Sequence, residues 1–111
     1  MNLFGWLLVG HLVGDFLLQT RWMAEKKARE WPPLLAHCFV YTAVVALLAL
    51  PAGGLSPVAV GLVFFSHILL DRRNLTDLWA KSITGTPDSQ WLKTMIDQSW
   101  HIVILAVATL L

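Results

Sequence analysis

Three histidine–aspartate pairs at a spacing of four, His11 with Asp15, His67 with Asp71 and Asp97 with His101, lie inside stretches that are otherwise almost wholly apolar. Helical residues four apart share a face at about 5–6 Å, so each pair presents two candidate metal ligands to one point. His37, the remaining histidine, lies in the one apolar stretch that has no pair, so every hydrophobic segment carries one histidine. A carboxylate at membrane depth costs about 2.5–3.5 kcal/mol on insertion scales, so three of them demand cations or strong donors nearby. A buried divalent site supplies both.

The chain has 111 residues, of which 57% are hydrophobic and 14% charged, with a mean hydropathy of +0.64. An ordinary soluble domain is nearer a quarter charged, so the composition reads as that of a membrane protein. The length allows one domain, 1–111. A formal net charge of +1 without a long basic tract gives no grip on a phosphate backbone, so nucleic acid is not expected as a partner. The one cysteine, Cys38, rules out an internal disulfide and reads as a small packing residue.

Four apolar segments run from Leu3 to about Thr20, Pro33 to Leu50, Pro57 to Asp71, and about Thr94 to Leu111. Each is near the roughly 17–25 residues needed to cross a bilayer, the third only with help from a flank. No lysine or arginine precedes the first segment, so it is expected to persist as a helix and not to be cleaved as a signal. Ser56 with Pro57 and Thr86 with Pro87 and Asp88 mark the starts of the third and fourth helices. The stretches Arg21–Trp31 and Arg72–Gly85 read as short amphipathic helices at an interface. The expected fold is therefore all-α: a polytopic membrane protein with four short transmembrane helices in a compact bundle and interfacial helical loops.

All eight basic residues fall either after the first segment or between the third and fourth. By the positive-inside rule both connections are cytoplasmic, which predicts a multi-pass inner-membrane protein with both termini on the non-cytoplasmic side. Trp22, Trp31, Trp79 and Trp91 then form an aromatic belt at one interface. On that topology His11, Asp15, His37, His67, Asp71, Asp97 and His101 all lie in the cytoplasmic half. Four histidines and three aspartates suit one or two ions of zinc, manganese or iron, with a carboxylate able to bridge two ions. Salt bridges with Arg72 and Arg73, or packing in a polar core, are the structural alternative. Gly10 and Gly14 flank His11 as a small-xxx-small pair suited to close helix contact, and Gln19 and Tyr41 are placed to support ligands from behind.

The opening HLVGDFLLQTRWMAEKK, the isolated His37, SHILLD and DQSWH together resemble the bacterial and phage membrane family catalogued as domain of unknown function 3307. The likeness spans nearly the whole chain; it implies a four-helix membrane fold and names no reaction. In the style of its motifs the chain is also similar to membrane-bound metal-dependent hydrolases.

The residues point first to a membrane-embedded metal-dependent hydrolase, acting on a lipid or other amphiphilic ester or phosphoester from the cytoplasmic leaflet. The seven histidines and aspartates bind the metal, Asp15 or Asp97 serves as base, and Arg72 and Arg73 hold an anionic group. Membrane lipids and an amphiphilic substrate are the expected partners, and a homo-oligomer is compatible with this reading. The alternatives are a metal-ion carrier or sensor, a two-iron oxidoreductase, and a purely structural membrane subunit. A route across the outer half is poorly furnished with polar residues, which disfavours transport; bis-histidine haem leaves the aspartates unexplained.

Overall fold

Four of the six α-helices begin where a short polar side chain caps a backbone amide. A computed structural model describes residues Met1–Leu111. Asn2 caps α1 (Leu3–Leu12), which continues through a π-helical turn at Val13–Leu17, and Thr20 caps the short α2 (Arg21–Lys26). The longer α3 (Trp31–Ala49) ends in a 3₁₀ turn at Leu50–Ala52. Ser56 caps α4 (Pro57–Asp71), with Pro57 at its first position, where a missing N–H costs nothing. The short α5 (Asn74–Trp79) leads into a second π-helical turn, Ala80–Thr84. Ser89 caps α6 (Gln90–Ala108), so this helix starts after the Thr86–Pro87–Asp88 signal and not on it.

The longer helices close into a ring: α1 packs on α3, α3 on α4, α4 on α6, and α6 back on α1. Each turns a stripe of residues four apart inward, and each stripe changes from apolar to polar at the same level. Leu7 gives way to His11 and Asp15 on α1, and Ala49, Val45 and Tyr41 to His37 on α3. On α4 Ala59 and Val63 give way to His67 and Asp71; on α6 Ala108 and Leu105 give way to His101 and Asp97. One end is thus a hydrocarbon core, where each fully buried large side chain contributes about 1.5–3 kcal/mol. The other end is a buried polar cluster.

Close approach of α1 to α3 is what sets the cluster's depth. A Cβ on Gly10 would lie 3.0 Å from the Val45 Cα, and one on Gly14 would lie 2.9 Å from Tyr41 Cδ2 and 3.2 Å from its Cα. Backbone cannot yield as a flexible side-chain tip can, so Gly14→Ala is expected to lower stability by about 1–3 kcal/mol. A denaturant midpoint equal to that of the wild type would show that the two helices are not locked at this point.

The architecture corrects the membrane expectations. One helical stretch, Trp31–Ala52 with 22 residues and a mean hydropathy of 2.1, is long and apolar enough to cross a membrane, and 44% of its span is buried inside the domain. The apolar helices Leu3–Leu17 and Pro57–Asp71 are shorter; the latter has 15 residues and reaches only about 22 Å at 1.5 Å per residue, against a hydrocarbon thickness of about 30 Å. In α6, Lys93, Asp97 and Gln98 dilute the first half. The chain is a compact all-α domain with one candidate span, and not a bundle of four transmembrane helices with interfacial loops. Multi-pass inner-membrane placement, non-cytoplasmic termini, partnership with membrane lipids and a membrane-embedded hydrolase working on a leaflet all rested on four spans and fall with them.

Candidate metal centre

Asp15 reaches the cluster from the π-helical turn that ends α1. Its backbone carbonyl, released from the helical ladder, accepts a hydrogen bond from Gln19 Nε2 at 2.8 Å, so Gln19 steadies the backbone and does not touch the ligand side chains. Across the ring, His37 Nε2 lies 2.9 Å from Asp15 Oδ1 and 3.0 Å from Asp71 Oδ2. His67 Nε2 lies 2.8 Å from Asp71 Oδ2 and 3.4 Å from Asp15 Oδ1. The two imidazole nitrogens face each other at 2.9 Å. That is the length of an N–H···N hydrogen bond, and it is also the separation of two nitrogens each about 2.0–2.1 Å from one ion at a right angle. The four donor atoms lie within 4.8 Å of one another.

A second group, Asp71, Asp97 and His101, meets the same criterion. His101 Nδ1 donates to the Asp97 carbonyl at 2.7 Å, which fixes the tautomer and turns Nε2 inward. That Nε2 is buried and lies 3.3 Å from Asp71 Oδ1 and 4.0 Å from Asp15 Oδ2. Asp71 and Asp15 therefore each send one oxygen to the His37–His67 side and the other to the His101 side. All six residues are 0–7% exposed. Two groups able to coordinate a divalent ion exist, sharing Asp71.

Within the cluster the carboxylates and imidazoles compensate one another's burial. Burial alone would push the Asp71 carboxyl up, but the His67 charge and the bonds from His101, His37 and His67 hold it well below the usual carboxylate range. Asp15 is lowered in the same way: burial opposes ionisation, and the His37 bond and the His67 charge outweigh it. Burial lowers His101, yet the bond and charge of Asp71 carry it to about 9. Asp97 moves upward, because burial there exceeds the help from His101.

His11 stands beside the cluster with both ring nitrogens engaged. Gln98 Oε1, 2.7 Å away, can only accept, so His11 Nε2 carries the proton and the Tyr41 hydroxyl, 2.8 Å from Nδ1, donates to it. Tyr41 also stacks on His67, with ring centroids 3.8 Å apart. Arg72 lies over the Trp31 ring at 4.1 Å and donates to the Ala28 carbonyl at 3.3 Å, and so fastens the chain between α2 and α3. Arg73 sits at φ 67, a left-handed conformation uncommon outside glycine, and its positive charge bears on Asp97.

Two participants carry no sequence signal of their own. Lys27 places Nζ 3.0 Å from Asp71 Oδ2 with 15% of its side chain exposed, although in the sequence it reads only as one member of a basic loop. Thr76, fully buried on α5, donates to Asp97 Oδ1 at 3.3 Å; no four-residue spacing connects it to a ligand. A cavity of about 10 Å³ lined by Tyr41, Ser66, His67 and His101 opens beside the second group, which is room for about one water. The larger grooves, about 350 and 470 Å³, include none of the cluster residues.

A family model matches residues 3–111, almost the whole chain. The chain belongs to the DUF3307 family, described as a protein of unknown function. Neither the curated proteins nor the solved structures give a match.

Proposed function

We propose that the cluster is the two-ion centre of a metal-dependent hydrolase that cleaves an ester or phosphoester. The observation that carries this reading is the division of Asp71 and Asp15, each with one oxygen toward His37 and His67 and the other toward His101. A carboxylate used on both edges is the donor that two neighbouring ions share. His37, His67, Asp15 and Asp71 would hold the first ion. His101, Asp71 and Asp97 would hold the second, whose smaller protein donor set leaves positions for water and substrate. Imidazole and carboxylate donors without thiolate fit zinc, manganese or iron.

Bound ions of this kind supply a nucleophile at neutral pH and polarise the oxygen under attack. The chain's own groups do the rest. Asp97, raised by burial and held by Thr76, is suited to accept and return a proton. His11, with Nε2 donating to Gln98 and Nδ1 accepting from Tyr41, stands 3.6 Å from Asp15 and lies outside both ion-binding groups. Arg73, on the Asp97 side, keeps the anion-holding role expected of the arginine pair, whereas Arg72 is committed to Trp31 and Ala28.

Metal analysis of the purified protein, coupled to assays with an activated carboxylic ester and an activated phosphoester, tests the proposal. Two ions per chain with metal-dependent turnover are expected. Fewer ions overturn the two-ion assignment, and full loading without turnover of either ester class overturns the hydrolase. Visible absorbance with redox turnover would favour a two-iron oxidoreductase in its place.

A further inference from the structure

We propose that Lys27 is a second substrate-anion residue of this centre, opposite Arg73, and that the substrate class is phosphorylated, an inference that rests on the two-ion reading above. Among the lysines and arginines, Lys27 is the one in ion-pair contact with a carboxylate of the cluster. It sits at the edge where burial first relaxes, 15% exposed against 1% for Asp71. The neighbouring residue, Ala28, is clipped by Arg72, which is itself held over Trp31. The ammonium is therefore delivered to the centre by an ordered piece of chain and is not a loose surface charge.

Charge balance then selects the ligand. Buried charge must be compensated. With neutral imidazoles, three aspartates leave two divalent ions one charge in surplus, and Lys27 makes it two. Once an ion binds Asp71 Oδ2, the ammonium loses the full value of its carboxylate partner and needs an anion in reach. A phosphoryl dianion bound at the ions' remaining positions closes the balance and accepts hydrogen bonds from Nζ. A neutral carboxylic ester does neither. Lys27 follows α2, which has no buried residue and packs on α3 alone, so its ammonium lies at the solvent side of the cluster.

The test uses inorganic phosphate and acetate as probes, titrated calorimetrically into metal-loaded wild type, Lys27→Met and Lys27→Arg, with ion content measured in each. The expected result is phosphate binding that is at least about tenfold weaker in K27M and within about threefold of wild type in K27R, with two ions retained throughout and acetate the weaker ligand. Unchanged phosphate affinity in K27M overturns the proposal, as does acetate binding the wild type as tightly as phosphate. Loss of ions in K27M also overturns it, by making Lys27 a support for the ligands. A wild type that takes two ions and no phosphate defeats this inference alone; one that takes no ions defeats the metal centre itself.

Discussion

Asp71→Asn is expected to abolish loading of both ions, with each affinity falling by about 100-fold or more. The amide keeps the shape and one acceptor oxygen but supplies a nitrogen donor where Oδ1 or Oδ2 now serves, so at least one of the two groups loses its ligand and both lose the shared charge. Asp97→Asn removes a carboxylate from the second group alone and should weaken one ion while the other stays. Asp15→Asn removes a carboxylate from the first group alone and should weaken the other ion. D71N also breaks a buried ionic network, leaving Lys27 and three imidazoles facing an amide, and a cost of about 3–5 kcal/mol is expected in the metal-free protein. Metal analysis and denaturant curves on the three variants decide the matter. If D97N and D71N lose the same number of ions, Asp71 is not the bridge.

The convergence of the histidines and aspartates was legible because helical spacing is a local property. A histidine and an aspartate four apart share a face whatever the rest of the chain does, and in this fold three such pairs and His37 do point inward at one level. The membrane reading failed for the opposite reason. Hydropathy sums along the chain and counts Phe39 and Phe65, which face outward, together with Leu7 and Val63, which face the core. It does not register the π-helical turn that ends the first apolar helix at Leu17, and the third segment keeps the 15 residues read from the sequence without help from a flank. Lys27 and Thr76 were illegible because their contacts with Asp71 and Asp97 cross elements far apart in sequence. His11 illustrates the limit of spacing itself: its pairing with Asp15 is present at 3.6 Å, yet Tyr41 and Gln98 occupy its nitrogens, and no pattern along the chain announces that competition.

Removing the metal should destabilise the domain, and the loss should grow with pH. An ion present at about 1,000 times its dissociation constant adds about 4 kcal/mol to the folded state. At about 4–8 °C per kcal/mol for a domain near this size, chelation should lower the melting temperature by some 15 °C or more. The metal-free protein carries its own compensation. His101, raised from 6.5 to about 9, contributes stability that is fully present below pH 6.5 and is lost as pH climbs toward 9. Asp71, held well below 3.8, contributes above that value and loses its share in more acid solution. Between those limits protonated imidazoles and Lys27 stand in for the ions. Loading runs the other way, since imidazoles must release their protons before they can bind metal. The gap between loaded and chelated melting temperatures is therefore expected to widen from about pH 6 to about pH 8.5. Melting curves at both values, on fully loaded protein and after verified chelation, read this directly. Equal curves would remove the metal from the fold's energetics, and a gap that narrows with pH would mean that the imidazoles of the cluster are not its ligands.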